Sequence, residues 1–145
     1  MAREGFQNIL LQDIEYKITE TRFGVWRRFA YPSGALFEEF VSHWHFARLP
    51  LLHYTRGTCP ETGKRITAQG IIAIGRFALG VVAIGQASVG ILAAGQLAVG
   101  LLFGFGQASV GLFALGQLAV AGVFGIGQVA TGHAAIGQFA LGHYV

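Results

Sequence analysis

The chain has little charge. Only 12% of its 145 residues are Asp, Glu, Lys or Arg, about half the usual share for a soluble domain. A disordered chain needs more charge and less apolar character than the 53% hydrophobic content here, so that class is excluded. A single cysteine, Cys59, leaves no intrachain disulfide framework. The net charge of +3 is small and loosely spread, which does not point to nucleic acid. No apolar run precedes Asp13 and Glu15, so no cleavable signal peptide is expected. The length fits one domain, or a domain with an appendage.

What charge there is lies at one end. Every Lys, Arg, Asp and Glu falls between Arg3 and Arg76, and from Phe77 to Val145 there is none, nor any proline. The chain therefore divides into a mixed, charged segment, 1–64, and an apolar segment, 65–145, that holds most of the glycines. The turn-like Cys59-Pro60-Glu61-Thr62-Gly63 marks the boundary.

The apolar segment is a repeat. Glycine recurs every five residues at Gly70, Gly75, Gly80, Gly85, Gly90, Gly95 and Gly100. Gln follows alternate glycines at Gln86, Gln96, Gln107, Gln117, Gln128 and Gln138, with Arg76 in the equivalent earlier place. A longer period overlies this one, because 85–105 and 106–126 are identical at most positions. Segments 65–84 and 127–145 fit the same frame, giving four units of 20–21 residues. Repeats of this period predict a solenoid. An α-helix fits poorly, since five residues advance roughly 500° and the glycines form no seam. A coil with five-residue faces fits directly: glycine turns each corner with unusual φ values, and successive turns stack at about 4.8 Å.

On these residues the segment resembles the quadrilateral β-helix of the pentapeptide-repeat proteins. The nearest frames are Gly75-Arg76-Phe77 and Gly95-Gln96-Leu97, in which Gly takes the place of the family's small residue and Gln that of its Asp or Asn. The resemblance implies an all-β, right-handed, four-sided β-solenoid of about four turns. The charged segment then forms a β-rich N-terminal cap. The DNA mimicry of some acidic family members does not carry over, because the repeat has no acid.

In that frame Gln86, Gln107 and Gln128 occupy one face, and Arg76, Gln96, Gln117 and Gln138 the opposite one. Stacked amides predict a structural ladder along the axis. Phe77, Leu92, Leu97, Phe113, Leu118 and Phe139 at the third pentad position are the candidate core. The fifth position (Leu79, Ile84, Val99, Leu115, Ile136) is left open between inside and outside. Val81, Ile91, Leu101 and Leu112, with His143, Tyr144 and Val145 at the end of the sequence, form the expected association surface.

In the first segment, folding the chain about Ser33 pairs Arg28 with Glu38, Arg27 with Glu39, Phe29 with Phe37, Trp26 with Phe40, and Val25 with Val41. Opposite charges and aromatic pairs across strands each add roughly 0.2–1 kcal/mol, so a hairpin is predicted. Ile14, Tyr16 and Ile18 alternate with polar residues and read as a further strand; a helix through Phe37, Phe40, Val41 and Trp44 is the lesser alternative. His43, His45, His53 and Cys59 are weak zinc candidates whose spacing matches no standard pattern. Surface histidines and an inert thiol are the plainer reading. Gly57 through Arg65 lacks the Gly-Lys-Ser/Thr of a P-loop. Arg27, Arg28, Arg48, Arg56, Lys64 and Arg65 are either solvated or near anionic headgroups.

These readings lead to a non-enzymatic, self-associating structural protein with no cofactor. Its expected partners are further copies of itself, stacked as a homo-oligomer or filament, and a lipid membrane. Nucleic acid is not expected, and no small-molecule substrate suggests itself. Location at a membrane is expected, with a cytoplasmic assembly as the alternative. The competing functions are a helical integral membrane protein and a soluble surface-binding module.

Overall fold

The computed structural model describes residues 16–31, 34–60 and 63–145. Strand accounts for 81% of them and helix for none, so the described chain is all-β. Among the described residues no helix is long and apolar enough to cross a membrane. The helical alternatives, for the repeat and for 37–44, are therefore not supported.

The cap is an antiparallel sheet. Strand β1 (Lys17–Glu20) pairs with β2 (Gly24–Ala30), β2 with β3 (Leu36–Ser42), and β3 with β6 (Leu52–Arg56). The β2–β3 register sets Arg28 opposite Glu38, Arg27 opposite Glu39, Phe29 opposite Phe37, Trp26 opposite Phe40 and Val25 opposite Val41, as the charges and rings demand. The apex at Ser33, Ile14 of the expected first strand, and Glu61 and Thr62 of the boundary turn lie outside the described residues. Between β3 and β6 a small hairpin intervenes, β4 (His45–Phe46) and β5 (Leu49–Pro50). Its two loop residues, Ala47 and Arg48, both have positive φ, the conformation of the tightest hairpin turns.

At β6 the pairing changes sense. Strand β7 (Ala68–Ile74) runs parallel to β6, and β8 (Phe77–Tyr144) runs parallel to β7. The six-stranded sheet thus continues from cap to repeat without a break. Strand β8 is 68 residues long, which would reach about 220 Å if straight. It is not straight. Ala68 pairs with Ala78, Gly70 with Gly80 and Ile74 with Ile84. Farther along, Gly85 rests on the carbonyl of Gly75, Gly95 on Gly85, Gly106 on Gly95, Gly116 on Gly106, Gly127 on Gly116 and Gly137 on Gly127. The chain returns above itself every ten or eleven residues, where a four-sided turn requires 20–21.

Five residues take the chain across, and the next five bring it back. Ala68, Ala73, Ala78 and Ala83 form one buried cluster, and Ala114, Ala119, Ala130 and Ala135 another. From Ala68 to Ala135 the buried place is therefore the fourth of each pentad, held by alanine or by Ser88 and Ser109, and the fifth of the two six-residue units, held by Gly104 and Gly125. The expected core at the third position is corrected: Leu97 is 49% exposed, Phe139 72%, and Phe77, Leu92, Phe113 and Leu118 are exposed with them. The fifth position also faces outward at Leu79, Ile84, Val99 and Ile136. The reason is width, because only a methyl or hydroxymethyl fits between the two layers.

The longer period has its own cause. Ser88 Oγ donates to the carbonyl of Ala94 at 3.1 Å, and Ser109 Oγ to that of Leu115 at 3.1 Å. Serine and alanine alternate in one layer on successive turns, so the 21-residue identity spans two turns. The extra residue falls in the other layer, in 100–105 and 121–126. There a Cβ on Gly100 would lie 1.9 Å from the carbonyl oxygen of Phe103, marking a local bulge.

The role expected of the glycines is also corrected. Positive φ among described glycines occurs at Gly34, Gly57 and Gly63, and at none in the repeat. The repeat glycines are needed for space. A Cβ on Gly95 would lie 1.7 Å from the carbonyl oxygen of Gly85, whereas one on Gly122 meets first the Leu112 side chain at 3.2 Å. Gly95→Ala should therefore cost about 3 kcal/mol or more, the upper end of overpacking, and Gly122→Ala far less. In the same thermal melts, Ala98→Leu at a fully buried site should destabilise strongly, and Leu97→Ser should leave the fold intact.

Candidate interaction surface

The ten-residue return places like residues in rows. Arg76, Gln86, Gln96, Gln107, Gln117, Gln128 and Gln138 follow the stacked glycines and lie in one row, all exposed. The expected division of these amides between two opposite faces is corrected to one corner. At the other corner Val81, Ile91, Leu101 and Leu112 are exposed, Leu101 to 68%. The same row ends in His133 and His143, whose rings stack at 5.5 Å with Tyr144 edge-on. Tyr144 and Val145 are exposed as well. Phe103 stacks on Phe113 at 5.0 Å, again ten residues apart. A shallow apolar groove of about 600 Å³ runs along this corner between Val99, Val110 and Val120 on one side and Leu101 and Leu112 on the other. Large apolar side chains thus cover the outside of the coil while its inside is alanine, an arrangement that ordinarily marks a contact surface.

The base of the coil differs chemically. Arg56, Arg65 and Arg76 line one surface cavity of about 480 Å³, together with Thr55, Gly75 and Gln86. All three arginines are exposed, and among the described residues no acid lines the cavity. Arg76 is the last charged residue of the sequence. Sequence reasoning named Arg56 and Arg65 and missed their meeting with Arg76; the signal was an arginine standing in the Gln row. Within the cap, Phe23, Trp26, Phe40, Trp44 and Tyr54 line an apolar cavity of about 660 Å³, with Phe23 and Trp44 largely exposed. Nothing in the sequence pattern marks that cavity, because its walls come from separate strands.

One buried charged cluster ties the cap to the coil. Arg27 is hydrogen-bonded to Glu39 Oε2, and His53 Nε2 lies 3.0 Å from Glu39 Oε1. His53 Nδ1 accepts the backbone N–H of Gln69 at 2.9 Å. The same nitrogen lies 3.2 Å from the Gln69 carbonyl oxygen, and Nε2 faces the carboxylate. With both ring nitrogens engaged, His53 is a bracket between β3 and the start of β7. Burial pushes the Glu39 carboxyl up, but the His53 hydrogen bond and the Arg27 guanidinium outweigh it and hold it below the usual range. Burial works against charge on Arg27 too, and Glu39 reverses it, so the guanidinium pKa is raised.

The zinc candidates are not brought together. His43 Nε2 lies 3.1 Å from the Thr21 carbonyl, His45 Nδ1 3.0 Å from that of His43, His53 belongs to the Glu39 cluster, and Cys59 is buried. No group of three or more potential ligands occurs among the described residues.

No family model matches the chain, and neither a curated protein nor a solved structure does.

The Glu39 cluster carries a pH dependence. With the folded carboxyl held low, the unfolded chain takes up its proton first as pH falls. The stabilisation is complete above the ordinary carboxylate value of about 4.3 and is lost as pH drops through the lower folded value. Glu39→Gln should cost about 1–3 kcal/mol at pH 7 and flatten this acid limb. Thermal melts of both proteins from pH 7 to pH 3 check it.

Proposed function

We propose that the chain is a non-catalytic, structural β-solenoid of two-layered, ten-residue turns, which packs its uncharged outer rows against a lipid bilayer and further copies of itself. The β-rich cap serves as the template on which the coil starts. The observation that carries this reading is the inversion of the repeat: alanine inside, and Leu, Ile, Val and Phe outside, over a stretch without one charge. Water gains nothing from such a surface, and covering it recovers about 25 cal/mol for each Å² removed. The likeness to pentapeptide-repeat coils extends, in this reading, to the five-residue layer and the stacked turns, with two layers in place of four sides. The Gln row acts as a structural ladder, its amides stacked one turn apart along a single corner.

Sedimentation of the protein purified without detergent tests the reading. Large assemblies, or recovery only with lipid or detergent, are expected. A stable, dispersed monomer in plain buffer would sink it, and strong helical minima in far-ultraviolet circular dichroism would remove its structural basis.

A further inference from the structure

The base and the length of the coil together say how it would meet a bilayer. From the Arg76 turn to the Gln138 turn the stacked glycines make six steps, roughly 29 Å at about 4.8 Å each. The hydrocarbon core of a bilayer is about 30 Å thick. Beyond Arg76 that interval has no Asp, Glu, Lys or Arg, exposes Leu, Ile, Val and Phe on both layers with the Gln row along one corner, and is strand throughout. A backbone paired turn to turn is the condition for entering hydrocarbon, and the stacked turns supply it outside the two local bulges at 100–105 and 121–126. At its foot stands the cavity of Arg56, Arg65 and Arg76. At the opposite corner of the foot, Leu49 of the β4–β5 hairpin lines an apolar cavity with Leu79 and Val81, and beside the hairpin Trp44 is exposed, a residue type that settles at headgroup level. At the far end are His133, His143 and Tyr144.

Resting on the membrane reading above, we propose that the coil crosses the bilayer with its axis along the normal, and that Arg56, Arg65 and Arg76 form a site for the phosphate of an anionic phospholipid at the cap-side surface. All three arginines line one concavity; Glu38, opposite Arg56 in the sheet, pairs with Arg28 and is not part of the lining, which leaves cationic donors for a phosphate. The next residue after Arg76 is Phe77, so a phosphate held there leaves its acyl chains alongside the outer rows. A free anion would need the same arginines but not the apolar wall that begins beside them.

The test uses the full chain reconstituted into phosphatidylcholine vesicles with and without phosphatidylglycerol. Polarised infrared spectroscopy of oriented bilayers reads the axis. Interstrand hydrogen bonds run along a coil axis, so the main amide I band should be polarised along the bilayer normal. In flotation, the triple variant Arg56→Gln, Arg65→Gln, Arg76→Gln should lose the preference for phosphatidylglycerol, on the order of a hundredfold at roughly fivefold per arginine. Leu101→Asp, at an exposed mid-coil site that does not support the fold, should weaken vesicle binding about tenfold or more, and Tyr144→Asp far less. Bound protein with an in-plane amide I band, or equal effects of the two Asp variants, would overturn the crossing while leaving membrane association standing. Tight binding of inorganic phosphate that abolishes no vesicle binding would overturn the lipid site. Self-association with no vesicle binding would overturn this proposal and leave only the copy-to-copy half of the wider reading. A dispersed monomer that ignores vesicles would end both.

Discussion

The separation of the two layers governs the repeat. Residues five apart meet across the interior and residues ten apart lie one above another, so the space between layers is one small side chain deep. Ala73, Ala78, Ala83, Ala98 and Ala119 fill it almost completely. A buried methyl yields only about 0.8 kcal/mol, less than the backbone entropy of about 1–2 kcal/mol lost by each ordered residue. A core of that kind cannot hold the coil by itself. The backbone ladder must supply the rest. The same narrowness fixes the corners, where the glycine carbonyls stack so closely that a Cβ has no place.

The cap solves the problem of the first turn. Each later turn has a preceding one to pair with, but β7 needs a partner already in place, and β6 provides it in parallel register. Strand β6 is in turn fixed by β3, whose Glu39 reaches through His53 to the backbone of Gln69 one residue into β7. A buried carboxylate with both oxygens engaged tolerates little sliding, so this cluster sets the register that all later turns copy. Conventional packing is confined to the cap: Phe37 and Phe40 are buried there, and Trp26, Tyr54 and Phe40 meet ring to ring.

The parts legible in the sequence were those decided by local pairing. The β2–β3 register followed from Arg27, Arg28, Glu38 and Glu39, since sliding by two residues would break both ion pairs. The five-residue layer followed from the glycine rhythm. The phase of the repeat was less legible for a physical reason. Ordinary domains bury their largest apolar side chains, and that rule selected Leu97 and Phe139. The better signal was constancy of size: outside the two six-residue units the fourth pentad position is Ala or Ser from Ala68 to Ala140, while the third ranges from Ala to Phe. The turn length was hidden by the alternation of Ser88 with Ala98 and Ser109 with Ala119, which makes two turns look like one unit. The arginine cavity was beyond local reading, because Arg56 belongs to the cap and Arg76 to the coil.

The distribution of side chains along the coil is a partial inversion of a soluble domain, and the inversion follows from geometry. Once the interior admits only methyls, each five-residue layer must turn its remaining positions outward, and the chemistry of those positions is free. A coil destined for water would fill them with charge, as the cap does on its exposed strands with Lys17, Glu20 and Arg56. Here they carry Val, Leu, Ile and Phe, with one row of Gln along a single corner. That row is the main polar line on an otherwise apolar surface, and the six amide side chains beyond Arg76 would be poorly satisfied by acyl chains alone. In hydrocarbon, polar side chains gather where protein meets protein. Under the membrane reading proposed above, the corner occupied by Gln86 to Gln138 would be where two coils face each other and the Leu101 and Leu112 corner would meet lipid, so that copy-to-copy contact and membrane contact would use opposite sides of the same turn.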